Sequence, residues 1–185
     1  MTQHTLSVLV ENSPGVLARV AGLFSRRGYN IDSLAVGPTE NPEISRMTIV
    51  LNLEGHALDQ VSAQLFKLVN VIGIQEMKDG ESHQRELLLV KVKKNGARDA
   101  IADIAARAKA TIVNETNDTL TIEAIGSGRE LERFLGELKP FGIRELVQSG
   151  LIAVELGDAT LVERTLSETG YATSESHSQT ADYQN

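Results

Sequence analysis

Near the amino terminus, Glu11-Asn12-Ser13-Pro14-Gly15 precedes an amphipathic run, and Gly28-Tyr29-Asn30-Ile31-Asp32 follows it. Asn12 and Asn30 each carry a carboxamide, which donates to a carboxylate through its N–H and accepts from an ammonium through its oxygen. Ser-Pro-Gly reads as a helix start: serine caps free amides, and proline fits the first helical position because its missing N–H needs no partner there. Gly15 then falls at the second helical position, where the lack of a side chain lets a ligand reach the backbone. The first amides of a helix, with the dipole behind them, seat a carboxylate. A free amino acid joins a carboxylate and an ammonium on one carbon. Asn12, Gly15, the amides of Val16 and Leu17, and Asn30 suit those two groups, while the apolar Val16, Leu17 and Ile31 suit an aliphatic side chain. The same stretch also reads as an ordinary helix start flanked by turn-forming asparagines, with no ligand, and short motifs do not separate the two readings.

Other chemistry is not visible. His4, His56, His83 and His177 are scattered without metal-ligand spacing, and no nucleophile elbow, P-loop or dinucleotide fingerprint occurs. Gly126-Ser127-Gly128 is explained by a helix cap. The chain has no cysteine, which excludes disulfides and thiolate metal sites. A formal net charge of −7 argues against a general nucleic-acid or anionic-membrane binder. RNA-binding modules of similar pattern stack bases on sheet aromatics, but here only 4% of residues are aromatic and the strands are aliphatic. The amino terminus lacks a secretory pattern and no run reaches the roughly twenty apolar residues of a membrane span. The expected setting is the cytoplasm, with a soluble ligand or partner and no catalytic or metal residues in the chain.

The elements that must position these groups follow from periodicity. Residues 4–10 read as a strand. Val16, Leu17, Val20, Ala21, Leu23 and Phe24 fall at helical spacing, and Gly28 ends that helix. Strands are expected at about 30–37 and 45–53 around an Asn41-Pro42 turn. A helix is expected over 57–69, with Leu58, Val61, Leu65, Leu68 and Val69 inward, then a strand over 71–78. This β-α-β-β-α-β order is the ferredoxin-like split unit of the α+β class. DGESHQ reads as a linker, and the pattern then restarts: a strand over 85–93, a helix over 97–109 with Ile101, Ile104, Ala105 and Ala108 inward, and a hairpin around Asn117-Asp118. A helix opened by the capping box Ser127…Glu130 follows, with Leu131, Phe134, Leu135 and Leu138 as its buried stripe, then strands near 142–148 and 151–156. Leu17, Val20 and Ala21 correspond to Ile101, Ile104 and Ala105 at a shift of 84 positions. Two consecutive ferredoxin-like units are expected, over 1–79 and 85–171, joined by a linker at 80–84. Residues 158–171 add a short helix, and the polar tail 172–185 is expected to be disordered.

ENSPGVLARV, LFSRRGYNIDSL and SRMTIV, supported by QLFKLVNVIGI, RELLLVKV and VQSGLIAV, resemble the small regulatory subunits of acetolactate synthase (acetohydroxyacid synthase). The resemblance implies an ACT domain followed by a second ferredoxin-like domain, without a catalytic centre. It implies a partner, the large catalytic subunit, which holds thiamine diphosphate, magnesium and FAD and condenses two 2-oxo acids in branched-chain amino-acid synthesis. It also implies activation of that subunit and feedback inhibition, usually by valine, with the effector site at Asn12, Gly15, Val16, Leu17, Asn30 and Ile31. In the family the ACT domains pair, so a homodimer with the effector between protomers is implied. The alternative is a free-standing ACT sensor that controls another enzyme or transcription. The sequence departs from the family pattern after Leu156-Gly157-Asp158, where an acidic segment and polar tail replace the usual basic ending.

Overall fold

The structure, a computed structural model, describes residues 2–54 and 57–169, with side chains through residue 165. The expected tail at 172–185 lies outside the described residues. The first unit runs β1 (Thr2–Glu11), α1 (Val16–Arg27), β2 (Ile31–Pro38), β3 (Ile44–Leu53), α2 (Ala57–Leu65) and β4 (Val71–Glu76). Its strands are antiparallel in the order β2-β3-β1-β4, and β2 is therefore an open edge. Alternation turns Leu6, Val8 and Val10 of β1 and Met47, Ile49 and Leu51 of β3 toward the helices, where they bury Val20 and Phe24 of α1 and Val61 and Leu65 of α2. Gly28 closes α1 in the left-handed region at φ 70°. The Tyr29 and Gly28 amides bond back to the Phe24 and Ser25 carbonyls at 3.1 Å, a Schellman ending.

α2 is shorter than its sequence pattern. After Phe66 the bonds tighten to i→i−3, from Lys67 N–H to the Gln64 carbonyl and from Leu68 N–H to the Leu65 carbonyl. Asn70 then bonds to Glu11 and fixes the entry to β4. This uncoiling turns Val69, expected inside, outward to 85% exposure.

The second unit repeats the first: β5 (Ser82–Lys93), α3 (Arg98–Arg107), β6 (Thr111–Glu115), β7 (Thr119–Gly126), α4 (Gly128–Leu138) and β8 (Ile143–Gln148), in the order β6-β7-β5-β8. Its core joins Leu88, Val90, Val92, Leu120 and Ile122 to Ile101, Ile104, Leu131, Phe134 and Leu138. α3 stops at Arg107, which leaves Ala108 exposed at its carboxyl end. The Ser127 box is present in full: Ser127 Oγ accepts from the Glu130 amide, and the Glu130 carboxylate accepts from the Ser127 amide at 2.8 Å. These backbone and hydroxyl bonds hold the Glu130 carboxyl below its ordinary range, against a small opposing effect of burial. A carboxyl lowered by folding stabilises the fold above its unfolded value and loses that contribution as pH falls through its lower folded value. Ser127→Ala is expected to cost about 1 kcal/mol, read as a lower urea midpoint at neutral pH, and the difference from the unsubstituted chain should shrink in acid.

Two further elements follow, β9 (Ile152–Glu155) and α5 (Leu161–Thr169). β9 pairs with Ser82–Arg85 at the start of β5, in line with β8 farther along the same strand. Residues 82–84, expected as linker, are therefore strand. Their polar side chains suit a two-stranded ribbon in which Gln84 Nε2 donates to the Met77 carbonyl at 2.9 Å. The ribbon and α5 reach the first unit: the Leu151 amide donates to Ser33 Oγ at 2.9 Å, and α5 lies against β4. β1 is thus buried on both faces from Thr5 to Val10, and Leu9 and Val50, which alternation turns away from α1 and α2, are buried as well.

Candidate functional site

The carboxyl end of β1 and the amino end of α1 form the candidate site. Ser13 and Pro14 do not open the helix as expected. Gly15 sits at φ 85°, ψ −7°, the angles of the third residue of a type II turn, where glycine is preferred and proline precedes it. The Val16 amide closes that turn on the Ser13 carbonyl at 3.5 Å. A left-handed residue cannot continue a right-handed helix, so α1 begins at Val16, with Gly15 as N-cap and no side chain capping it. The left-handed Gly15 leaves the seat more open than the sequence implies. Leu17 and Ala18 amides have no intramolecular acceptor among the described residues, and a β-carbon on Gly15 would meet nothing within 4 Å.

The loop that carries this seat is tied on two sides. The Asn12 amide donates to the Glu43 carbonyl at 2.7 Å, and Asn12 Nδ2 donates to the Pro42 carbonyl at 2.9 Å. The β2–β3 turn that supplies those carbonyls is itself closed by Asn41 Oδ1, which accepts from the Glu43 amide at 2.9 Å. Asn12 Oδ1 keeps its capacity to accept from a ligand N–H. On the other side, Asn70 Nδ2 donates to Glu11 at 2.5 Å, and Asn70 Oδ1 accepts from the Arg19 guanidinium. Asn70 is 8% exposed, so this network fixes the first turn of α1 against the end of β1 from within. Neither Asn70 nor Arg19 is marked as functional by spacing: Asn70 follows an apolar run, and Arg19 falls on the polar side of its helix.

Val16 is buried in the core and Leu17 is 44% exposed beside the free amides. Asn12, Gly15, Val16 and Leu17 are thus gathered. Asn30 and Ile31 are not with them. They stand at the far end of α1, whose 12 residues span about 18 Å. Glu11 pairs with Ile44 at one end of the sheet, and Ile31 pairs with Leu51 toward the other. Asn30 Nδ2 donates to Asp32 at 2.8 Å, and Ile31 leans on the core. Among the described residues no group of three His, Asp or Glu could hold a metal ion, and no helix is long and apolar enough to cross a membrane.

Residues 6–73 match the family described as AHAS small subunit-like ACT domain, and residues 85–157 match the one described as small subunit of acetolactate synthase. The acetolactate synthase small subunit of Mycolicibacterium smegmatis is 51% identical over 155 residues, covering 83% of this chain and 91% of that one. A probable acetolactate synthase small subunit of Methanothermobacter thermautotrophicus is 40% identical over 160 residues, covering 85% and 95%. The crystal structure of the acetolactate synthase small subunit from Thermotoga maritima superposes with a TM-score of 0.79 at 29% identity, over 86% of this chain and 100% of that one. Both units, their order and nearly the whole length of these relatives agree, which does not favour a free-standing ACT sensor. The chain belongs to the acetolactate synthase small-subunit family, the regulatory and non-catalytic subunits of that enzyme.

Proposed function

We propose that residues 1–79 bind a branched-chain amino acid at the amino end of α1, in a homodimer, and that the bound effector lowers the activity of a large catalytic subunit. The effector carboxylate sits on the Leu17 and Ala18 amides above Gly15, its ammonium faces Asn12 Oδ1, and its side chain lies along Leu17 and Val16. The observation that carries this reading is the uncapped turn at Gly15: two helix-end amides point out of a glycine-floored loop that internal bonds hold open.

Asn30 and Ile31 complete the site only from a second copy. A two-fold axis beside the open β2 edge reverses the second protomer, so the carboxyl end of its α1 lies near the amino end of the first. The same pairing covers an unpaired strand edge. The second unit, which opens with β5, follows in the same chain. Thiamine diphosphate, magnesium and FAD belong to the large subunit in this reading.

The experiment is to add the purified chain to the large subunit and follow acetolactate formation from pyruvate, with and without L-valine, L-leucine or L-isoleucine. The chain should raise the rate, and at least one of the three should reverse that gain. A rate unaffected by the chain, or a gain insensitive to all three, would refute the proposal.

A further inference from the structure

α5 lies beyond residue 157, where the matched part of the second unit ends, yet it docks on the first unit. Its start is capped by Thr160 and Glu163: the Glu163 amide donates to Thr160 Oγ1 at 3.1 Å, and the Thr160 amide donates to the Glu163 carboxylate at 3.2 Å. Leu161 and Thr165, one turn apart on the same face, are buried at 5% and 6% exposure. Thr165 rests on Gly73 in β4. A β-carbon at Gly73 would overlap Thr165 Oγ1 and come within 3.0 Å of its methyl, so the helix seats only because that strand position has no side chain. Beside it, Arg164 donates to Glu155 of β9 at 2.7 Å. That bond, with a weaker one from Gln75 of β4 and against some desolvation, holds the Glu155 carboxyl below its ordinary range.

The same segment borders the loop that holds the candidate effector seat. A cleft of about 500 Å³ separates the amino end of α5 from the β2–β3 turn, lined by Pro38, Thr39 and Arg46 on one side and Thr160 and Leu161 on the other. That turn supplies the two carbonyls that hold Asn12. Leu161 and Thr165 are buried and Thr165 is seated on Gly73 of β4, and a helix in a protein draws most of its stability from such packing, so docking and helix formation are linked.

We propose that α5 is a cross-unit strap whose docking at Gly73 is coupled to effector binding at Gly15, so that the effector favours the docked state and feedback requires it. This inference rests on the effector reading above and adds the element through which the first unit acts on the second. Coupling of this kind is reciprocal: whatever the effector adds to docking, docking adds to effector affinity.

Gly73→Ala pushes Thr165 off its seat, and Thr165→Ala in the same chain removes the two atoms in closest conflict and should restore it. The full-length chain is used throughout, with L-valine as probe. Amide hydrogen exchange is followed in residues 163–169, with titration calorimetry and holoenzyme inhibition alongside. We expect L-valine to slow exchange in α5 of the unsubstituted chain. Gly73→Ala should speed that exchange at least tenfold and weaken both L-valine affinity and inhibition by about fivefold or more. The double variant should recover all three. Unchanged exchange in Gly73→Ala would overturn the docking contact. Faster exchange with unaltered affinity and inhibition, or no recovery in the double variant, would overturn the coupling. If the unsubstituted chain binds no L-valine while exchange still answers to Gly73→Ala and its rescue, the effector reading fails and the docking stands.

Discussion

Replacing Gly15 by aspartate is expected to abolish feedback inhibition while stimulation of the catalytic subunit persists. At the N-cap of α1 an aspartate places a carboxylate beside the second and third amides of the helix, Leu17 and Ala18, which no side chain caps. The variant thus carries its own carboxylate in the seat proposed for the effector carboxylate. No atom lies within 4 Å of the added β-carbon, so the loop is not forced apart. The left-handed φ of 85° costs about 1–2 kcal/mol for most side chains and less for aspartate. Loss of even one charge-assisted bond, worth about 1.5–3 kcal/mol, together with direct repulsion, lowers effector affinity by about 100-fold or more. Gly15→Ala separates the two causes, since it shares the backbone strain without the charge. It should keep affinity within about tenfold. The readout is the L-valine concentration that half-inhibits the reconstituted holoenzyme, and normal inhibition of Gly15→Asp would show the seat to be elsewhere.

The second large effect concerns the separation of Asn12 and Asn30 by the length of α1. If each site takes Asn12 from one protomer and Asn30 from its partner, Asn12→Ala and Asn30→Ala homodimers each lose both sites. A mixed dimer is different: one of its sites carries both substitutions and the other carries neither. Co-refolding equal amounts should therefore restore binding to about one quarter of all sites, because about half of the dimers are mixed and each has one intact site. A site built within one chain predicts no recovery at all. The number of L-valine molecules bound per chain, measured before and after mixing, decides between them.

Much of this arrangement is legible from residue order, because it rests on local rules. The two split units follow from alternating and helical periodicities, the Asn41-Pro42 turn from its dipeptide, and the Gly28 and Ser127 ends of α1 and α4 from cap chemistry. Ser13-Pro14-Gly15 misleads because proline fits both the first position of a helix and the second position of a turn, and only the φ of Gly15 separates them. The network of Glu11, Arg19 and Asn70 joins positions up to 59 residues apart and leaves no periodic mark. The ribbon of β5 and β9 is hidden for a related reason, since Ser82-His83-Gln84 has the composition of a linker and becomes strand only once β9 lies beside it. α5 is a middle case. Thr160-Leu161-Val162-Glu163 has the spacing of a capping box and marks the start of a helix, but nothing local reveals that its buried face has a seat at Gly73.

Titration calorimetry of the full-length chain with L-valine, run at a concentration where sedimentation gives the dimer, tests the proposed seat most directly. The expected result is saturable binding of one L-valine per chain, present in the unsubstituted protein and absent in Gly15→Asp. No heat with L-valine, L-leucine or L-isoleucine, or equal binding by Gly15→Asp, would contradict it.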